Sequence, residues 1–310
     1  MKIQENISLS DKNWFKTGGL ARFYSEPKTE QDLVSCIQFA TEKDLDIFML
    51  GGGANILISD DGFDGLVIHP ELKDIIFNDD AHLVTAGAGV TIQDLIDACL
   101  DNKLVGLEEF SGIPGTVGGS VYINIHYLDY FLSNFLVKAC VIEKTTGALL
   151  DVDASWFNFG YDQSRLFEKN YFLVTATFKL NPVDGLGAAY AKGRRDETIR
   201  HRNRRYPMSN TCGSFFRNFH KHELSCAINC KKLPYVAYYL DKLGIKGELA
   251  VGNVIVSHQH ANMLVTQQGA TSAQVIALAR KMQQMVSEQF CLTPHVECQL
   301  VGFKENPFTV

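Results

Sequence analysis

Apolar residues recur three and four apart over residues 29–45, at Leu33, Cys36, Ile37 and Ala40, with Thr29 and Asp32 in capping-box positions. That spacing predicts an amphipathic helix. The run Asp46–Leu50 reads as the strand after it and leads into Gly51, Gly52, Gly53, Ala54 and Asn55, after which Ile56–Ile58 and Gly65–His69 complete an α/β lobe over residues 1–72. A second lobe, 73–190, opens with a strand at Leu83–Ala86 and a capped helix over Thr91–Leu104, whose Ile92, Leu95, Ile96 and Cys99 share a face. A glycine-rich stretch, Gly106–Gly119, comes next, and alternating runs at Leu136–Glu143, Leu149–Val152 and Tyr171–Leu180 read as strands. Residues 181–190 carry the proline and glycine punctuation of a boundary. The third lobe, 191–310, holds a basic segment, Lys192–Arg205, and a helix around Val236–Leu243. Apolar runs at Val254–Val256 and Met263–Thr266, a long capped helix, Thr271–Phe290, and a closing strand, Glu297–Phe303, follow. Helices and strands mix throughout, so the fold class is α+β.

Composition narrows the class. With 46% apolar and 21% charged residues, the 310-residue chain has enough apolar content for packed cores and is not a disordered one. A net charge of −6 argues against a surface built wholly to clamp nucleic acid. One segment departs from that average: Lys192, Arg194, Arg195, Arg200, Arg202, Arg204 and Arg205 are interrupted by only two acids, Asp196 and Glu197. It reads as a solvated helix face, or as a source of one or two arginines, Arg204 or Arg205, for a phosphate group. Interleaved aromatics are lacking, so nucleic acid is not the expected partner. The first residues lack the apolar core of a signal peptide, and no run reaches the roughly eighteen apolar residues of a membrane span. A cytoplasmic protein without membrane contact is expected.

The eight cysteines are scattered and make no disulfide framework. Cys226 and Cys230, near His220 and His222, form the one group with metal character; a single close pair rarely encloses zinc, and buried reduced thiols are the alternative. His258 and His260 would share one face of a strand with no third ligand, so no metal is expected there either.

Two glycine-rich loops carry the chemistry. Gly51, Gly52, Gly53, Ala54 and Asn55 leave backbone N–H groups free to converge on an anion, although the GxGxxG spacing is absent and no helix follows. Taken alone this loop is an ordinary β-turn. The second stretch combines Ile113, Pro114, Gly115, Thr116, Gly118 and Gly119, a surface that a flat ring or a diphosphate can approach closely, or else a tight crossover. Two such loops in adjacent lobes suggest one extended nucleotide cofactor between them.

Lys16-Thr17-Gly18-Gly19, Leu50 to Leu57, Gly62-Phe63-Asp64-Gly65, Gly106-Leu107-Glu108 and Gly112 to Gly119 together resemble the flavin-binding half of the UDP-N-acetylenolpyruvoylglucosamine reductase (MurB) family. The C-terminal half is similar as well, in Gly213 to Asn218, Leu243 to Gly247, His260-Ala261-Asn262 and the strand of Glu297. The resemblance implies a two-lobed FAD-binding region of the PCMH/vanillyl-alcohol-oxidase type, followed by an α+β substrate domain. It further implies FAD and NADPH as cofactors, a nucleotide-sugar substrate, and reduction of an enolpyruvyl ether during peptidoglycan precursor synthesis; a monomer is expected. The hydride chemistry belongs to the flavin, which leaves orientation, electrostatics and one proton to the protein. Negative charge left beside the substrate carboxylate must be stabilised and then quenched. By resemblance Ser214 donates the proton and Glu297 helps stabilise the charge; Tyr161, Arg204, Arg217, Lys246, His260 and Asn262 are the candidate substrate-binding residues. Arg217 or Lys246 would polarise the Ser214 hydroxyl.

Three departures stand out. Phe159-Gly160-Tyr161 is followed by Asp162 where the family has arginine; Arg165 is expected to replace that cation, with Asp162 holding it in place. Asn124-Ile125-His126-Tyr127 replaces the family's small Asn-Ala-Gly-Ala, and Val296 replaces a proline. A flavoenzyme of the same fold with another substrate, or a flavin-binding paralogue without catalysis, are the alternatives.

Overall fold

The structure is a computed structural model that describes residues 1–127 and 129–309. The chain divides into two compact units: residues 1–5, 23–52 and 65–202 form one, and residues 6–22, 53–64 and 203–310 form the other.

In the first unit, helix α1 (Glu30–Glu42) starts where the Thr29 hydroxyl accepts the Asp32 N–H at 3.1 Å, and it buries Leu33, Cys36, Ile37 and Ala40. The strand Ile47–Met49 runs parallel to Phe63–Ile68, with Ile47 opposite Leu66 and Met49 opposite Ile68. An antiparallel five-stranded sheet follows, in the order Leu149–Asp153, Leu136–Glu143, Tyr171–Lys179, Leu83–Gly87, Ile75–Asn78. Helix α2 (Ile92–Asp101) is capped by Thr91, whose hydroxyl accepts the Asp94 N–H at 3.0 Å. Helix α3 (Val117–Tyr122) is capped by Thr116. The core joins Val84, Ala86, Leu95, Phe110, Val121 and Phe178, all fully buried or nearly so.

Helix α4 (Gly185–Arg205) begins inside the stretch expected to be a boundary. The reason is local: the Asp184 carboxylate accepts the Gly187 N–H at 2.7 Å, and the alanines that follow favour helix strongly enough to absorb the glycines. Its basic residues are mostly paired. Lys192 meets Asp101 at 2.6 Å, Arg195 meets Asp97 at 2.7 Å, Arg194 meets Glu109, and Arg200 meets Glu197 at 3.2 Å.

In the second unit, an antiparallel sheet orders Ala250–Val251, Val254–Val256 and Leu264–Thr266. Helix α5 (Val236–Lys242) and helix α6 (Ser272–Phe290) supply Val236, Tyr239, Leu240, Val275, Leu278 and Met282 to its core. Thr271 and Gln274 close a capping box at the start of α6, and the Asp60 carboxylate accepts the N–H groups of Ser272 and Ala273 at 2.8 and 2.9 Å. This is what ties residues 53–64 to the C-terminal portion. Ile56–Ile58 pairs parallel with Gln299–Val301. The closing strand is therefore shorter than expected, and Glu297 precedes it. His258 and His260 are not on a strand; Val256 ends it, and the Ser257 hydroxyl accepts the N–H groups of Gln259 and His260, turning the chain.

Candidate active site

The glycines of the two loops approach each other within the first unit. A Cβ on Gly52 would lie 2.9 Å from Gly115 Cα, and one on Gly51 would lie 2.9 Å from the Thr116 hydroxyl. Thr116 accepts the Gly119 N–H at 3.3 Å, Gly118 packs against the Ala88 carbonyl, and Gly112 donates to the Gln93 side chain at 3.0 Å, which fixes the approach to Ile113 and Pro114. Just ahead of this loop, the fully buried Ser111 hydroxyl has no hydrogen-bond partner among the described residues. Sequence reading missed it, although its place directly before Gly112 was a signal.

The rest of the first glycine loop lies in the second unit. Gly53, at φ +65°, gives its carbonyl to the Trp14 N–H at 2.9 Å, and Asn55 gives its carbonyl to Gln299 at 3.0 Å. After Ala54, the Asn55 side-chain oxygen is buried with no partner among the described residues. In the first unit, the orphaned Ser111 hydroxyl and the backbone of Gly51, Gly52 and Gly115 that no Cβ shields fit a polar cofactor such as FAD.

Ser214 and Glu297 lie on neighbouring segments. Phe216 bridges antiparallel to Val296, the Glu297 N–H donates to the Phe215 carbonyl at 2.9 Å, and the Arg217 N–H donates to the His295 carbonyl at 2.9 Å. Asn262 locks this arrangement. Its amide NH2 donates to the Phe216 carbonyl at 2.7 Å, its Oδ1 accepts the Phe216 N–H at 3.1 Å, and the residue is 3% exposed. Both ends of the Asn262 side chain hold backbone. Gly213, at φ +81°, faces open space beside the half-buried Ser214.

The cations are placed differently from the sequence expectation. Arg217 makes a bidentate pair with Glu223 at 2.9 and 2.7 Å, which directs its guanidinium there. Glu223 also accepts the His220 N–H at 2.7 Å and lies 3.4 Å from His295. Arg217, foremost, holds its carboxyl down at about 2. Nothing in the sequence marked Glu223. Lys246 pairs with Asp241 at 2.7 Å. Burial, followed by the charges of Arg205 and Lys246, pushes His260 down to about 4, so its ring is neutral at pH 7. Its Nδ1 accepts the Asn262 N–H at 3.3 Å, which leaves the proton on Nε2. Arg204 is exposed.

In the first unit, the Arg165 guanidinium carbon lies 4.9 Å from the centre of the Trp156 ring. Tyr161 is 47% exposed. Asp162 does not hold Arg165: its carboxylate lies 3.2 Å from His126 Nδ1. Among the described residues no three His, Cys, Asp or Glu side chains stand together as a metal site, and no helix is long and apolar enough to cross a membrane. Cys226 and Cys230 are free thiols, but Cys226 is exposed rather than buried, because it lies on the surface turn Glu223–Cys226.

The glycine loops fall in a region, residues 21–153, that matches the FAD binding domain family, and residues 205–301 match the C-terminal domain of UDP-N-acetylenolpyruvoylglucosamine reductase. The fold thus combines a flavin-binding domain with a dedicated C-terminal domain. The chain is 32% identical over 305 residues to UDP-N-acetylenolpyruvoylglucosamine reductase of Trichormus variabilis, covering 97% of this chain and 87% of that one. The reductase of Listeria monocytogenes is 29% identical, with 97% and 95% covered. A solved reductase from Thermus caldophilus superposes with a TM-score of 0.78 at 24% identity, covering 97% and 99% of the two chains. The chain belongs to the UDP-N-acetylenolpyruvoylglucosamine reductase family.

Proposed function

We propose that the protein is the oxidoreductase its family names, reducing UDP-N-acetylglucosamine enolpyruvate to UDP-N-acetylmuramate for peptidoglycan precursor synthesis, as a cytoplasmic monomer with NADPH as reductant. Bound FAD would supply the hydride relay from NADPH to the enolpyruvyl carbon. Gly51, Gly52, Gly115, Thr116 and Gly119 would hold it through backbone groups that no Cβ shields.

The observation that carries the reading is the pairing of the Ser214 and Glu297 segments, clamped by Asn262. Ser214 donates the proton that quenches charge beside the substrate carboxylate, and Glu297 stabilises that charge as it develops. Arg165 supplies positive charge on the Tyr161 side. His260, neutral and donating from Nε2, orders substrate, with Arg204 and Lys246 toward its phosphates. Arg217 acts through Glu223 to fix the segment after Ser214.

The flavin-loaded protein should be bleached by NADPH and recover its absorbance on adding the enolpyruvyl nucleotide sugar; a protein that purifies without flavin overturns the reading. Ser214→Ala should leave bleaching within about twofold of wild type and slow recovery roughly a hundredfold or more. Equal slowing of both half-reactions would contradict the proton-donor role.

A further inference from the structure

The basic face of α4 ends on the second glycine loop. Arg195, Ile199 and Arg202 are four and three residues apart, so they share one side of the helix. That side is anchored. Arg195 meets Asp97 at 2.7 Å, Asp97 accepts from the Gln93 side-chain NH2 at 3.1 Å, and the Gln93 oxygen accepts the Gly112 N–H at 3.0 Å. Two turns on, Arg202 lies along the same glycine. At φ +75°, a Cβ on Gly112 would come within 3.2 Å of Arg202 Cδ and 3.5 Å of Ile199 Cγ1. The Arg202 guanidinium carbon stands 4.4 Å from the centre of the Tyr127 ring, and its Nε and Nη2 atoms are buried. Tyr127 belongs to the stretch that replaces the family's small Asn-Ala-Gly-Ala. Lys192, Arg194, Arg195 and Arg200 of this helix meet acids, whereas Arg202 carries its charge inward to the loop.

The loop itself is a poor nest for phosphate. The N–H groups of Gly112, Ile113, Val117, Gly118 and Gly119 are spent on Gln93, Phe110, Val90, Ala88 and Thr116, and Pro114 has none. What remains is a flat glycine surface, the fully buried Ser111 hydroxyl with no hydrogen-bond partner among the described residues, and a planar, permanently charged fork. A diphosphate collects several backbone N–H groups. This set suits instead the edge of a flat ring that carries a carbonyl and one delocalised negative charge. Addition of a hydride to flavin N5 produces such an edge, since the electron pair leaves one negative charge spread over N1 and the C2 carbonyl.

We propose that Arg202, oriented by Tyr127, stabilises the N1 and C2-carbonyl edge of reduced FAD and so sets how readily the cofactor accepts a hydride. Tyr127 is its positioning residue. The assignment rests on the reductase reading only in requiring bound FAD.

The test uses flavin-loaded protein without NADPH or substrate and reads the midpoint potential of the bound FAD by equilibration with a reference dye. In Arg202→Met the preference for reduced over oxidised FAD should fall tenfold or more, a midpoint lower by about 30 mV or more for this two-electron couple. Around pH 7 that midpoint should also fall more steeply with rising pH, because reduction then takes up two protons per electron pair instead of one. Arg202→Lys, which keeps the charge but loses the fork, should lie between. Tyr127→Phe, which keeps the ring, should match wild type within about twofold, and Tyr127→Ala should lie with the lysine variant. Binding of oxidised FAD should stay within about threefold of wild type throughout. A wild-type midpoint in Arg202→Met would overturn the assignment. So would a tenfold loss of affinity for oxidised FAD with the preference unchanged, which would mark a diphosphate contact. Should Arg202→Met fail to fold, unchanged midpoints in both Arg202→Lys and Tyr127→Ala would overturn it as well. A wild-type chain that binds no FAD would sink the flavin reading itself, and the role of Arg202 with it.

Discussion

Glu223 is the residue on which Arg217, three positions after Ser214, is anchored. Its carboxylate takes both ends of the Arg217 fork and the His220 N–H, with His295 nearby. Charge-assisted bonds to a side chain only 19% exposed are worth a few kcal/mol. Glu223→Gln should cost about 2 kcal/mol in denaturant unfolding at pH 7. The sign of its pH dependence follows from a folded value depressed to about 2 against about 4.5 for an ordinary glutamate. The stabilisation is fully present above about 4.5 and is lost as pH falls toward about 2. The gap between wild type and variant should therefore close across that window; a gap that stays constant from pH 7 to pH 3 would show that Arg217 is held by something else. At this scale the sequence was informative about residue types but silent about partners. Arg217 and Lys246 were visible as cations, yet nothing local said that Glu223 and Asp241 engage them. Asn262 was visible as polar, while its bonding to the Phe216 backbone is a property of a paired turn that forms only in the folded chain.

Helix starts were the most legible elements, because threonine caps act within three residues: Thr29, Thr91, Thr116 and Thr271 each accept the N–H three positions on. The start of α4 was hidden because Asp184 caps it amid glycines that resemble a linker. Strand ends were set by neighbours rather than by periodicity, and the last strand shows it: Gln299–Val301 is as long as its partner Ile56–Ile58. Beyond it, Gly302 at φ +76° turns so tightly that a Cβ would lie 1.9 Å from the Gly62 carbonyl oxygen. Gly302→Ala should destabilise the protein by about 3 kcal/mol, read as a lower denaturant midpoint, since strain and clash act together. Wild-type stability would mean that the turn relaxes without cost.

Across the whole chain, the α+β class and the two converging glycine loops could be read directly, because each depends on short-range pattern. The assignment of residues 6–22 and 53–64 to the same unit as 203–310 could not be, since Phe15 and Leu57 look like any other apolar residues until their core neighbours are known. The Thr266 hydroxyl bonds to the Phe15 carbonyl, and the Ser272 hydroxyl bonds to Thr17 at 2.8 Å and to the Ile58 carbonyl at 2.6 Å, all across more than two hundred residues of sequence. A fragment of residues 203–310 expressed alone should therefore lack fixed tertiary packing, seen as a weak near-ultraviolet circular dichroism signal and binding of a hydrophobic dye. A fragment with native-like signal would show that the N-terminal segments are dispensable.

The same interleaving bears on how the protein is made. On the ribosome, residues 6–22 and 53–64 emerge long before the segments that cover them, and each must wait through the synthesis of about 140 residues or more, at roughly 5–20 per second. For several seconds Phe15 and Leu57 are sticky surface on a nascent chain, and this interval, rather than the finished fold, is where chaperones have most to protect.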